Sequence, residues 1–309
     1  MDRRHALVTS GLVLVASLAM GQAAGGAPPP ARPSPSASAT GPGYEVQVSN
    51  AVYGFNAPRL NALPNNPTGG PPSCFTSTWG PCTGIGIAWT GDDASPGFWT
   101  GSTTPVPVDG RNAYGAEVAG FGNTATCGGV SSVLSDAPVV GIASAQFGAL
   151  VVAADGGVFA FCGAPFLGSM GGRPLDRPIV GMAATPDGDG YWLVAADGGV
   201  FSFGDAAFYG SMGGQPLNQP ITGIAATPDG KGYWLVAADG GVFSFGDATY
   251  HGSMGGQALN QPMVAIAANP DGTGYWTAAA DGGVFAFGDA PFEGSAVEGG
   301  GLEGLAAVG

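Results

Sequence analysis

Hydrophobic and polar positions recur along most of the chain in short blocks that end in turns. In one unit, apolar residues 181–185 precede a Pro-Asp-Gly turn, and the β-rich run 191–196 precedes Asp-Gly-Gly, a strong hairpin signal. Residues 200–203 alternate so that both Phe lie on one face, and Phe208-Tyr209 predicts a short outer strand. Gly and Pro interrupt every window long enough for a helix. The unit therefore predicts four short antiparallel strands.

This unit repeats every 42 residues. Asp-Gly-Gly-Val-Phe begins at Asp155, Asp197, Asp239 and Asp281, and blocks 181–222 and 223–264 differ at only eight of 42 positions. Four strands in about 42 residues are typical of a β-propeller blade, and a solenoid is the competing architecture. The clear repeats span 139–180, 181–222, 223–264 and 265–308.

The two ends of the repeat region complement each other. A Tyr-Trp pair also recurs in the repeats, beginning at Tyr191, Tyr233 and Tyr275. Residues 302–308 match the first strand of a repeat, and 44–58 match the remainder, with Tyr44 at the Tyr-Trp position. Pairing them would complete one blade and remove an open sheet edge. With degenerate copies at 44–63 and 84–126, we expect an all-β propeller over 44–309. It would have about six four-stranded blades, with five or seven as alternatives, and the C-terminal strand would join the N-terminal blade.

The N-terminal region has the layout of an export signal. Arg3-Arg4, an apolar run over 6–20 and small residues after it predict a secretory signal peptide over 1–24. An uncleaved anchor helix is the alternative. A linker rich in Pro, Ala and Ser follows over 25–43. We therefore expect a secreted, extracellular protein with no membrane span after signal removal.

Composition and charge narrow the possible partners. The chain has 58 Gly and 26 Pro among 309 residues, a content typical of disorder unless Gly recurs on a period, as it does here. Eight Lys and Arg stand against 22 Asp and Glu, a formal net charge of −14. A negative surface repels phosphate backbones, so nucleic acid is not an expected partner.

The blade motif resembles known propeller repeats in part. Ala-Asp-Gly-Gly-Val-Phe-Ser-Phe-Gly-Asp, over 196–205, is similar to the strand pair of regulator-of-chromosome-condensation repeats, but the Gly-Gln-Leu-Gly ending of that family is missing. WD repeats share the length without their Gly-His and Trp-Asp signatures. Residues 139–297 most resemble a repeat of secreted actinobacterial proteins. That resemblance implies a fold and export, and no activity.

Four cysteines in an exported chain predict two disulfides among Cys74, Cys82, Cys127 and Cys162, with three possible pairings. Cys74 with Cys82 would close a local loop, and Cys127 lies just before the repeat that holds Cys162. A metal site is the rival interpretation, although there is no Cys-x-x-Cys motif.

Catalytic motifs are scarce. His251 is the only His after residue 24, and its equivalents Leu167, Tyr209 and Glu293 suggest a solvated strand face. Trp192, Trp234 and Trp276 are expected to pack between blades rather than to stack on sugars. Asp187 and Asp189 resemble a fragment of a calcium loop and are a weak metal candidate. We expect no cofactor, and the sequence identifies no catalytic residue.

The connecting loops carry the best candidates for a binding site. Amide side chains donate and accept hydrogen bonds, which suits hydroxyl-rich ligands. The candidates, expected to cluster on one rim, are Gln215, Asn218, Gln219, Gln257, Asn260, Gln261 and, in the first copy, Arg173, Asp176 and Arg177. The alternative is that the amides only satisfy loop backbone groups. We expect a secreted, non-enzymatic binding or scaffold module for extracellular polysaccharide or a cell-surface protein. The alternative is a secreted propeller hydrolase or lyase that uses carboxylates, with or without Ca²⁺.

Overall fold

The computed structural model describes residues 43–48, 51–55, 83–90, 97–108, 111–122, 131–145, 148–295 and 302–308. Side chains are described for 113–114, 135–145, 148–295 and Leu305. The expected signal peptide, the linker up to residue 42 and three cysteines, Cys74, Cys82 and Cys127, lie outside these residues.

The described part of the chain is all-β, as the sequence predicts, and its repeated antiparallel sheets fit a β-propeller. None of its residues belongs to a helix with the length and hydropathy of a membrane span. Its strands are β1 (Gly43–Val48), β2 (Ala51–Phe55), β3 (Thr83–Thr90), β4 (Gly97–Val108), β5 (Arg111–Gly122), β6 (Ser131–Ser135), β7 (Val139–Ala145), β8 (Gly148–Ala153), β9 (Val158–Phe161), β10 (Ile179–Ala184), β11 (Gly190–Ala195), β12 (Val200–Gly204), β13 (Ile221–Ala226), β14 (Gly232–Ala237), β15 (Val242–Gly246), β16 (Met263–Ala268), β17 (Gly274–Ala279), β18 (Val284–Gly288) and β19 (Leu302–Val308).

These strands form six sheets. Five have three strands, in the orders β19-β1-β2, β7-β8-β9, β10-β11-β12, β13-β14-β15 and β16-β17-β18, and the sheet β3-β4-β5-β6 has four. The pairing of strands has the same 42-residue period as the sequence. For example, Tyr191 pairs with Phe203, and Tyr233, 42 residues later, pairs with Phe245. A shift of one residue in this pairing would move every side chain to the opposite face of the sheet. Equivalent residues of different repeats therefore pair in the same register and face the same side.

The predicted pairing of the chain ends is present. Strand β19 pairs antiparallel with β1, from Gly43 opposite Val308 to Val48 opposite Leu302. In the same sheet, Tyr44 pairs with Phe55, the register seen in the clear repeats. The first strands of the sheets also contact one another in the order β19, β3, β7, β10, β13 and β16, and β16 contacts β19. The first strands of the six sheets therefore form a closed series of contacts.

The outer strand predicted at Phe208-Tyr209 does not form. The backbone groups there bond instead to side chains of the core: Ala207 O accepts from Trp192 Nε1 at 2.8 Å, and Gly210 O accepts from the Tyr233 hydroxyl at 2.6 Å. The Tyr209 N–H donates to the same hydroxyl at 3.2 Å. Residues 207–210 are thus held against the next sheet by Trp and Tyr side chains rather than by a ladder.

Glycine is required in this outer segment. Gly210 has a φ of +132°, and a Cβ there would lie 2.7 Å from a ring carbon of Phe245 in the next sheet. The same position is glycine in the clear repeats, at 168, 210, 252 and 294. The segment therefore approaches the next sheet more closely than any other residue type permits.

The hydrophobic core lies between successive sheets. The middle strands β8, β11, β14 and β17 are buried along their whole length. Trp192 of one sheet packs on Tyr233 of the next, with ring centroids 5.5 Å apart, in a cluster that includes Leu235 and Ile224. The three tryptophans Trp192, Trp234 and Trp276 are fully buried, so they pack between sheets, as expected, and offer no stacking surface.

Candidate functional site

The connecting loops are fastened to the Asp-Gly-Gly turns at both ends. In one repeat, Met212 N–H donates to Gly198 O at 2.9 Å, and Ile221 N–H donates to Ala196 O at 2.9 Å. The equivalent bonds in the next repeat are Met254 to Gly240 at 3.0 Å and Met263 to Ala238 at 3.0 Å. The loops 213–220 and 255–262 are therefore held at the same end of successive sheets.

Each turn is itself stabilised by its aspartate. Asp239 Oδ1 accepts from Gly241 N–H at 3.0 Å, a side-chain bond that fixes the hairpin. Gly240 has a φ of +83°, and a Cβ there would lie 2.5 Å from Met254 Cβ, so glycine lets the loop lie directly on the turn. A further bond, from Ala238 N–H to Pro220 O at 2.9 Å, joins the loop of one repeat to the turn of the next.

Two successive loops and the turn between them form an open groove of about 650 Å³, here called the amide groove. Its polar lining is five amides and one carboxylate: Asn218, Gln219, Asp239, Gln257, Asn260 and Gln261. Leu259 and Pro262 are among its apolar lining residues. A smaller cavity of about 250 Å³ adjoins it, lined in part by Asn218, Asp239 and Phe243. Five of the nine candidate residues, all of them amides, therefore lie in one groove.

These amides have no partner within the described part of the chain. The five side chains are exposed, and no side-chain hydrogen bond joins them to loop backbone or to each other. The alternative interpretation, that the amides satisfy loop backbone groups, has no hydrogen bond among the described residues to support it in this loop pair. Their donors and acceptors are available to a ligand.

Of the other four candidates, Arg173, Asp176 and Arg177 lie in the preceding loop, and Gln215 lies in loop 213–220 but does not line the groove. Gln215, Arg173, Asp176 and Arg177 are exposed. Arg173 N–H donates to Met170 O at 2.9 Å, as Gln215 N–H does to Met212 O at 2.8 Å, so the first loop has the same local geometry. Whether any of the nine candidates binds a ligand stays a prediction.

A second group of polar residues lies at the other end of the sheets. The Thr185 hydroxyl donates to Asp187 at 2.7 Å and thereby lowers the pKa of that carboxyl, with help from the Asp189 N–H. Loss of solvent raises the pKa of Asp205, and the negative charges of Asp187 and Asp189 raise it further. In the next repeat, Lys231 stands in place of Asp189 and pairs with Asp229 at 3.0 Å.

The metal candidate gains no support from this arrangement. Among the residues that the structure describes, no three His, Cys, Asp or Glu side chains are grouped to hold a metal ion. Asp187 and Asp189 each lie exposed on a turn, and Asp187 already accepts from Thr185 and from the Asp189 N–H.

His251 is not on a solvated strand face, which corrects the expectation from its repeat equivalents. It is half-buried, its ring lies edge-on to Tyr275 with centroids 5.7 Å apart, and its backbone N–H donates to the Tyr275 hydroxyl at 3.2 Å. The outer segment that carries it folds onto the next sheet, which the sequence pattern does not show. Cys162 is half-buried with a φ of +60°.

Two features of the surface were not among the sequence-based candidates. Asp239 lines the amide groove, although it was noted only as a turn residue. Four aromatic side chains are 56–61% exposed, namely Phe166, Phe208, Tyr250 and Phe292. The sequence contains a signal for these four residues: an aromatic residue recurs every 42 positions, while the residues on either side of it vary.

Comparison with known proteins adds little to this description. No protein-family model matches the chain, and no curated protein matches it. A solved structure similar to part of it is that of Chaetomium thermophilum Sqt1 bound to the N-terminus of the ribosomal protein L10, with 14% sequence identity and a TM-score of 0.44. The similarity covers 71% of this chain and 65% of that one. The class of protein thus follows from the chain's own repeated sheets, which fit a propeller-like repeat.

Proposed function

We propose that the chain is a secreted, non-enzymatic β-propeller that binds hydroxyl-rich extracellular polysaccharide in the amide groove. The observation that carries the proposal is that five exposed amides, without hydrogen-bond partners among the described residues, line one groove of about 650 Å³. An amide can donate to one sugar hydroxyl and accept from another, so a row of amides fits a polymer of hydroxyl groups.

The proposed architecture has six blades, one for each sheet. Its support is the pairing of β1 with β19 and the cyclic contacts of the first strands. A closed ring would place the connecting loops of all blades on one rim, so several weak contacts could act on one polymer. Such contacts gain affinity through effective concentration without any single strong bond.

The proposal of export rests on the sequence. The Arg pair, apolar run and small residues of 1–24 have the layout of a secretory signal, and the repeat resembles one found in secreted actinobacterial proteins. In that setting, a polysaccharide or a surface protein is an available partner, and the groove chemistry favours the polysaccharide.

A glycan array read against matched variants tests the proposal. The triple variant Gln257→Ala, Asn260→Ala and Gln261→Ala removes one wall of amides, and all three are exposed, so the fold should be kept. Thr249→Ala is the control, because the preceding repeat already has Ala207 there. We expect the triple variant to lose about tenfold or more in affinity, as removal of two or three hydrogen bonds implies.

The outcomes separate the candidate functions. Binding that the triple variant does not weaken, or an array with no bound polysaccharide, would refute the amide groove as the site. Capture of a cell-surface protein by the wild type alone would favour the protein partner. Release of reducing ends from a bound polysaccharide would favour the alternative hydrolase.

A further inference from the structure

The smaller cavity of about 250 Å³ next to the amide groove, here called the side cavity, is lined by loop 213–220, the hairpin 237–243 and the start of the next loop. It shares Asn218, Gln219 and Asp239 with the amide groove. The two spaces are therefore continuous. A polymer that lies in the amide groove can place a substituent of one unit in the side cavity.

The side cavity reaches the edge of the hydrophobic core. Leu217 and Phe243 line it, and both are half-buried. Both also pack against the core cluster between two successive sheets, which contains Ile224 and Leu235. A small apolar group of a ligand that covered these two side chains would leave water for an apolar surface, which favours binding.

The polar lining of the side cavity combines a carboxylate with amides. Asp239 Oδ1 accepts from Gly241 N–H at 3.0 Å, and the other carboxylate oxygen makes no hydrogen bond within the described part of the chain. The exposed amides of Asn218 and Gln219 can donate beside it. The carboxylate repels an acidic substituent. The apolar surface disfavours a charged ammonium group, which would lose its hydration there.

We propose that the side cavity binds the acetamido group of an N-acetylated polysaccharide whose sugar rings lie in the amide groove. The inference rests on the proposed function and names its substrate class. An acetamido group is uncharged and has a methyl group, an N–H donor and a carbonyl acceptor. Its methyl group would lie against Leu217 and Phe243. Its N–H would donate to Asp239, and its carbonyl would accept from Asn218 or Gln219.

The test compares chitohexaose with cellohexaose. The two have the same sugar backbone and linkage, and they differ in one substituent of each ring, which is acetamido in chitohexaose and hydroxyl in cellohexaose. Binding of each to the full chain is measured by calorimetry. We expect chitohexaose to bind about tenfold more tightly, because burial of one methyl group and one added hydrogen bond contribute about that factor. Neither ligand is charged, so the difference should persist at high salt.

Asp239→Asn tests the acceptor without removing the turn. An Asn side-chain oxygen can still accept from Gly241 N–H, but the second acceptor oxygen is replaced by an NH₂ donor. We expect the preference for chitohexaose over cellohexaose to fall from about tenfold to about twofold, since one hydrogen bond is lost.

Asp281→Asn is the matched control. Asp281 Oδ1 accepts from Gly283 N–H at 3.1 Å, the same turn bond, but Asp281 lines neither cavity. In addition, Val297 and Glu298 occupy the positions of the two glycines that line the side cavity 42 residues earlier. This variant should keep the full preference for chitohexaose.

Saturation-transfer NMR on chitohexaose locates the acetamido group directly. The acetyl methyl protons should receive the strongest saturation from the protein, since they would lie nearest to Leu217 and Phe243. Stronger saturation of the ring protons than of the methyl protons would overturn the placement of the methyl group.

Failure of this inference and failure of the proposed function give different results. If chitohexaose and cellohexaose bind equally, or if Asp239→Asn keeps the full preference, the side cavity is refuted while the amide groove stands. If the triple amide variant binds both ligands as tightly as the wild type does, the amide groove is refuted. Tighter binding of a glucosamine hexamer than of chitohexaose at high salt would overturn the acetamido assignment in favour of an ammonium group. Absence of binding of all three oligosaccharides would overturn both proposals.

Discussion

The Tyr233 hydroxyl holds the outer segment of one repeat against the sheet of the next. It donates to Gly210 O at 2.6 Å and accepts from Tyr209 N–H at 3.2 Å, and the whole residue is buried. The ring makes separate contacts with Trp192 at 5.5 Å and with Phe245 at 5.6 Å between centroids. Tyr233→Phe keeps these ring contacts and removes only the hydroxyl.

The expected cost follows from the two bonds. A buried hydrogen bond contributes about 1 kcal/mol net, and a backbone group left without a partner costs about 1–3 kcal/mol. Because the segment is part-exposed, water can reach some of the released groups, so we expect a loss of about 2 kcal/mol in the free energy of unfolding. For a domain of this size, that corresponds to a fall of about 4–8 °C in Tm.

Urea unfolding of Tyr233→Phe and Tyr250→Phe measures this directly. Tyr250 is 56% exposed and donates only to Ser253, at 3.2 Å, so the same chemical change there should cost less than about 0.5 kcal/mol. Amide exchange at Tyr209 should also become faster in Tyr233→Phe. If both variants unfold at the same urea concentration as the wild type, the hydroxyl does not hold the segment and this account is incorrect.

Two further predictions concern buried hydroxyls. Thr277 is 1% exposed, and its hydroxyl has no hydrogen-bond partner among the residues that the structure describes. Leu193 and Leu235 occupy its place in other repeats, so Thr277→Val should raise the free energy of unfolding by about 1 kcal/mol. The Thr222 hydroxyl donates to Val236 O at 3.3 Å, so the control Thr222→Val should gain nothing, and an equal gain in both variants would contradict the reasoning. Burial raises the pKa of Tyr275 to about 12, against 10.0 in an unfolded chain, so the folded state keeps a proton that the unfolded state loses. Its contribution to stability is complete below pH 10 and declines as the pH rises to about 12. Tm values between pH 9 and 12 and tyrosine absorbance test this, and titration of every tyrosine near pH 10 in the folded protein would refute it.

Much of the fold follows from local sequence rules. The three inner strands of a repeat are predicted within two residues of their observed ends, because alternation and Asp-Gly-Gly turns are local signals. The alignment of 44–58 with the repeat places Tyr44 at the Tyr-Trp position, and in the structure Tyr44 pairs with Phe55 as Tyr191 pairs with Phe203. The failure at Phe208-Tyr209 has a physical reason. Whether a short segment forms a ladder depends on which hydrogen-bond partners are nearby, and here they are Trp192 and Tyr233, distant in sequence.

The candidate site, like the fold, depends partly on local sequence and partly on contacts between residues distant in sequence. Repetition of Gln and Asn at fixed places in the loops identifies the amides without any structure. That five of them line one groove depends on the bond between Ala238 and Pro220, which sets successive loops side by side. The half-buried place of His251 likewise depends on the outer segment folding onto the next sheet.

The sequence alone determined the period and the inner strands, because these depend on hydrophobic alternation and turn residues that act over a few positions. It also predicted the pairing of the chain ends, because 302–308 and 44–58 match complementary parts of one repeat. Tertiary structure decided which backbone groups pair with side chains, which amides share a groove and which hydroxyls are left without partners. Those outcomes depend on distances between repeats, which no single repeat encodes.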